Sequence, residues 1–207
     1  MAATIESIWK NFQANKFEPV YFLFGEEAYY IDLIENFISE NALEPHEKDF
    51  NYSLFYGKDA DVISILNEAK QYPAFANRRV VIVREAQDIK IKDWEIFEKY
   101  FEQPVASTIL VFAHKNKALD KRTKIAKLIE KKTLYYESKK ISEDALPQWI
   151  LGYVKKKNFL IANDAAKLLS ESLGNDLSRI TSEIDKLSVL LAENATITSE
   201  IIEKYIG

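Results

Sequence analysis

The chain has 207 residues, 47% hydrophobic and 29% charged, with a net charge of −4 and no cysteine. That composition belongs to a globular protein and excludes disordered, fibrous and disulfide-stapled classes, while the missing thiols exclude Cys-based zinc sites and nucleophiles. No apolar run nears the ~18 residues that cross a bilayer, the polar start from Met1 to Lys16 is no signal peptide, and the net negative charge gives no whole-molecule pull towards nucleic acid, so a cytoplasmic protein without membrane contact is expected.

Ile5, Ile8, Trp9 and Phe12 recur at helical spacing, which predicts a short leading helix before Pro19. Val20 to Phe24 is an unbroken apolar run stopped by Gly25, the pattern of a strand buried on both faces. Tyr30, Ile31, Ile34, Phe37 and Ile38 mark the next helix. Phe50 to Leu54 alternates as a strand, and Asp59 to Gln71 sets Val62, Leu66 and Ala69 on one helical face. Two further β-branched runs, Val80 to Val83 and Ile109 to Ala113, flank a helix carrying Trp94, Phe97 and Phe101. A helix from Leu119 to Lys132 then leads to a strand from Leu134 to Glu137. Strands separated by helices predict βαβ units, and so an α/β fold with a mainly parallel sheet covered on both faces.

Strand signals stop after Lys139 and Lys140, and helical periodicity runs from Ser142 to Ile206. The expected division is an α/β domain over 1–140 and a small bundle over 141–207. In the bundle Leu177, Ile180, Ile184, Leu187 and Leu191 form one apolar stripe. Helices from Trp149 to Lys157 and Asp164 to Ser172 precede it, and one from Ser199 to Tyr205, capped by Thr198, follows.

A strand running into Gly25 and then a helix is the setting of a phosphate-binding P-loop, which needs a second glycine, a lysine and a hydroxyl at fixed spacing. Those positions hold Tyr30, Ile31 and Asp32, and Glu26 and Glu27 add charge that repels phosphate. The acid-terminated strand that would hold magnesium has Arg84 in place of its first acid. Nucleotide hydrolysis is therefore not expected, and no cofactor is called for. His46 and His114 lie far apart without cysteine, and each reads as an exposed or satisfied side chain rather than a base or ligand. The basic residues Lys117, Lys121, Arg122 and Lys124 follow the Ile109 to Ala113 strand and are candidates for phosphate contacts, against the plainer reading of a solvated face balanced by acids. Pro73 breaks the helix ending at Gln71 and is expected to leave Ala74 and Phe75 either projecting as a tip or, for Phe75, tucked beneath the next strand.

Four stretches together resemble the delta subunit family of the bacterial DNA polymerase III clamp loader. These are Pro19 to Glu27 with Tyr30, Tyr72 to Val83, Trp149 at the opening of the helical part, and Leu173-Gly174-Asn175-Asp176-Leu177 with Glu183 and Lys186-Leu187. The resemblance implies an AAA+-like, P-loop-type parallel-sheet domain with a degenerate nucleotide site, followed by a three- to four-helix lid. It further implies a protein that binds and opens the ring-shaped sliding clamp (the beta subunit) for loading on primed DNA. Gamma/tau and delta prime subunits would be its partners, and other subunits would hydrolyse ATP. Phe75, with Tyr72, Pro73 and Ala74 around it, would be the clamp contact, although Ala74 stands where the family usually has a larger apolar residue. A third, collar domain is implied and absent from these 207 residues, so a fragment is expected. The competing reading is a nucleic-acid-binding protein that uses the basic patch on an AAA+-like fold.

Overall fold

The computed structural model describes residues 3–116, 120, 122–192 and 195–206. The chain divides into two compact units, Met1–Lys140 and Ile141–Gly207.

The first unit is built on a five-stranded, wholly parallel sheet of β1 (Val20–Gly25), β2 (Tyr52–Tyr56), β3 (Arg79–Arg84), β4 (Thr108–Lys115) and β5 (Leu134–Ser138), in the order β2-β3-β4-β1-β5. Each central strand carries an unbroken apolar run, Val20 to Phe24, Val80 to Val83 and Ile109 to Ala113, because both faces are covered. Their period of two splits each strand between two cores: Val20, Phe22 and Phe24 face one, and Tyr21 and Leu23 the other. On the first side Phe22 and Phe112 meet Ile65 and Ala69 of α4 (Val62–Lys70), Phe101 of α5 (Glu98–Glu102) and Ile129 of α6 (Lys124–Lys132), together with Trp94 and Phe97 of an intervening 3-10 segment. On the second side Leu23, Val111 and Ile82 meet Ile8 and Phe12 of α1 (Ile5–Gln13) and Ile31, Ile34 and Ile38 of α2 (Ala28–Asn41). The predicted α/β sandwich is therefore the observed one.

Several boundaries differ from the sequence pattern. Phe50 belongs to α3 (Lys48–Asn51), a single helical turn, and β2 starts two residues later than expected. The segment carrying Trp94 and Phe97 is a 3-10 helix, Ile91–Phe97, because an apolar pair three residues apart suits either helix type. Helix α4 starts at Val62, where the Asp61 carboxylate accepts from the Ile63 and Ser64 amides, and α6 starts at Lys124, where the Thr123 hydroxyl accepts from Ala126. Leu119 lies outside the described residues.

The second unit contains α7 (Leu146–Lys156), α8 (Asn163–Leu173), α9 (Leu177–Leu190) and α10 (Ser199–Tyr205). Asp176 caps α9, and its buried side chains Leu177, Ile180, Thr181, Ile184 and Leu187 step by three and four as the sequence predicts. The stripe ends at Leu187, since the helix stops before Leu191 and Leu190 is exposed. A two-residue parallel pair, β6 (Leu160–Ile161) with β7 (Thr196–Ile197), lies in the part expected to be wholly helical. Among the described residues no helix is long and apolar enough to cross a membrane.

Candidate functional site

Two places in the first unit carry the functional question. One is the C-terminal edge of the sheet beside β1, where open α/β sheets bind their ligands. Gly25 ends β1 and pairs with Lys115 at the end of β4, while Arg84 ends β3. A P-loop would aim the first amides of the following helix at phosphate. Here the Glu27 side chain, itself buried, folds back and accepts from the Tyr29 amide at 2.9 Å, so an internal carboxylate occupies the anion-binding end of α2. Beyond it the edge is tied by ion pairs. Lys115 pairs with Asp32 and, at 3.7 Å, with Glu85; Arg84 Nε donates to Glu35 Oε1 at 2.7 Å. Glu35 is buried; desolvation pushes its carboxyl above the usual carboxylate range, and the hydrogen bond from Arg84 pulls it back. Asp32 and Arg84, the two residues most at odds with nucleotide chemistry, are thus both held in ion pairs within the chain. Among the described residues no group of carboxylates and histidines could hold a metal ion.

The second place is the loop between α4 and β3. Helix α4 ends before Pro73, and the chain turns so that Tyr72 is 80% and Phe75 101% exposed, with Pro73 and Ala74 half-buried. Phe75 projects into solvent and does not tuck beneath β3. Its backbone is left-handed, with φ 54°. For a non-glycine residue that conformation costs on the order of 1–2 kcal/mol and persists only where the surroundings impose it. They do so here: the Ala74 amide donates to Asn51 Oδ1 at 2.7 Å, and the Ala74 carbonyl accepts from Asn51 Nδ2 at 2.9 Å. Asn51 drew no notice in the sequence, because its partner lies 23 residues away.

The basic cluster is only partly described. Lys117 and Lys121 lie outside the described residues. Arg122 makes a two-pronged contact to Asp120 at 2.9 Å and holds that carboxyl down to about 2; Lys124 pairs with Glu98 at 2.9 Å. Both described members of the patch are therefore matched to carboxylates. His46 is exposed, and His114 is buried in β4 with its ring 6.0 Å from that of Phe22.

Comparison with known proteins follows the same lines. Residues 21–139 match the family "DNA polymerase III, delta subunit". The DNA polymerase III subunit delta of Bacillus subtilis is 26% identical over 208 aligned positions, which cover 97% of this chain and 60% of that one. The solved structure of the Bacillus subtilis DNA clamp loader delta protein superposes with a TM-score of 0.80 at 25% identity, covering 99% of this chain and 62% of that one. The RuvB Holliday junction branch migration motor of Thermotoga maritima shares the fold alone, with a TM-score of 0.50 at 13% identity over 98% of this chain and 68% of its own. The chain thus spans about 60% of the length of the curated relative it matches.

Proposed function

The chain belongs to the DNA polymerase III delta subunit family, and we propose that it serves there as the part that grips the sliding clamp and helps open it for loading onto primed DNA, without hydrolysing ATP itself. The observation that carries this reading is Phe75: a fully exposed aromatic side chain on a left-handed turn at the end of a helix, held by a buried asparagine. Apolar tips of this kind are the anchors of protein interfaces, where burial of one aromatic ring in a partner's pocket dominates the binding energy. Tyr72 and Pro73 flank it; Ala74 contributes its backbone rather than a side chain.

Under this reading the first unit makes the clamp contact and the second is the lid. Assembly with gamma/tau and delta prime subunits in the cytoplasm completes the machine that hydrolyses ATP. Calorimetry of this chain against the sliding clamp of its own organism tests it. Binding that persists at several hundred millimolar salt is expected for an aromatic plug, whereas binding that requires DNA and falls steeply with salt would favour phosphate contacts.

Two further outcomes follow from the same proposal. Titration with magnesium-ATP should give no heat, since Glu27 occupies the end of α2 and Lys115 and Arg84 are spent on Asp32 and Glu35; magnesium-dependent binding in the micromolar range would overturn the non-nucleotide role. Trypsin should cut first after Lys139 or Lys140, which are exposed and follow the end of β5. First cleavage within α9 would show that the helical part is not a separately packed unit beginning near residue 140.

A further inference from the structure

The segment from Gln71 to Arg78 joins α4 to β3 and is braced at its ends as well as at its centre. At the ends, Arg79 Nη1 donates to Glu68 Oε2 at 2.7 Å, linking the start of β3 to the last turn of α4, and Arg79 Nη2 donates to the Phe50 carbonyl at 3.0 Å. Glu68 also accepts from Ser53 Oγ at 3.1 Å and from Gln71 Nε2 at 2.9 Å. At the centre stands Asn51, whose side chain is wholly buried. Its carboxamide pairs with Ala74 as a strand's peptide group would, accepting from the amide and donating to the carbonyl, while Nδ2 also donates to the Glu47 carbonyl at 3.0 Å. Both hydrogens and the oxygen of that carboxamide are engaged with backbone, and two of its three bonds go to the residue immediately before Phe75.

The Glu47 carbonyl, one helical turn away, takes only one hydrogen of this buried side chain, so the loop supplies the partners of the other hydrogen and of the oxygen. The bonds to Ala74 fix the peptide that sets the direction of Phe75 and hold the next residue in its left-handed conformation. A tip ordered before it meets its partner loses less conformational freedom on binding, and so binds more tightly than the same tip on a loose loop.

We infer that Asn51 is the positioning residue of the clamp-binding tip: by pairing with Ala74 it preorganises Phe75 for insertion. This rests on the clamp-binding role proposed above.

The test is a four-way comparison of the original chain, Asn51→Ala, Phe75→Ala and the double variant, with affinity for the sliding clamp measured by calorimetry and amide exchange followed in the free proteins. Asn51→Ala should weaken clamp binding by about 5- to 30-fold, as expected for loss of preorganisation and of two hydrogen bonds. In the free protein the Ala74 amide should exchange at least about tenfold faster while the exchange of β1 and β4 amides stays unchanged. Added to Phe75→Ala, it should weaken binding no further, because a tip without its ring gains nothing from being held.

Equal losses in affinity with and without the Phe75 ring, or unchanged exchange at Ala74, overturn the inference. A Phe75→Ala variant that binds as well as the original instead overturns the clamp-contact role and the positioning claim with it, and that single variant reads the former alone. Should Asn51→Ala not melt cooperatively, Asn51→Leu fills the same volume and removes both bonds to Ala74, the accepted one included. It enters the same cycle under the same criteria.

Discussion

Phe75→Ala is expected to weaken binding to the sliding clamp by about 30- to 150-fold and to leave the melting temperature of the free protein within about 1–2 °C of its original value. The first figure follows from burying one phenylalanine ring in an apolar pocket, worth roughly 2–3 kcal/mol at tenfold per 1.4 kcal/mol. The second follows from the exposure of the side chain, which is 101% in the free protein, so truncation removes no internal packing. Alanine also keeps the left-handed backbone strain of the position, so no compensating relief enters the comparison. Had the ring been core, the same substitution would cost about 3–5 kcal/mol of stability and lower clamp binding only through loss of folded protein. Affinity per folded molecule and melting temperature, measured on the one variant, separate the two. A large fall in melting temperature with unchanged affinity would remove Phe75 from the interface.

The central strands of the first unit were readable because each is an unbroken apolar run, the signature of burial on both faces. The edge strand was not. Phe50, Tyr52 and Leu54 alternate with Asn51 and Ser53, a pattern that permits a strand starting at either Phe50 or Tyr52. What decides between them is the capture of the Asn51 side chain by the Ala74 backbone, a contact invisible in local sequence. Distance along the chain hid the charge pairs in the same way: Arg84 and Glu35 are 49 residues apart. The sequence showed that Arg84 stood where an acid would serve magnesium, but not what it had been recruited to do. Pro73 marked the break after α4, but the residues alone left Phe75 open between a projecting tip and a core side chain, and the left-handed geometry was not legible at all, because nothing in a phenylalanine signals positive φ. The β6–β7 pair is two residues on each strand, too short for any alternation to register.

Gly25→Ala is expected to lower the melting temperature of the nucleotide-free protein by roughly 10–15 °C. The glycine sits at φ 134°, and a Cβ there would lie 2.1 Å from the Ser138 carbonyl oxygen and 2.9 Å from the Ser138 nitrogen. Neither obstacle is a flexible side chain. Ser138 is buried at the end of β5, and its carbonyl also accepts from the Glu27 amide at 3.3 Å, so it cannot step aside without loosening the start of α2. Strain of about 1–3 kcal/mol for the backbone region and about 1–3 kcal/mol for the forced overpacking add to several kcal/mol, a large part of a domain's net stability. Gly152, within α7 and with nothing within 4 Å of an added Cβ, supplies the control: Gly152→Ala should leave stability unchanged or raise it by about 0.5–1 kcal/mol. The contrast bears on function. In a P-loop the glycine after the strand lets backbone approach phosphate, and if that were the only purpose of Gly25 its replacement would do little to the free chain. Here the approach is between β1 and β5, and the substitution damages the free chain directly. If Gly25→Ala instead melts like the original, the close contact with Ser138 is not what the position requires, and a ligand at the end of β1 becomes the better account of why glycine stands there.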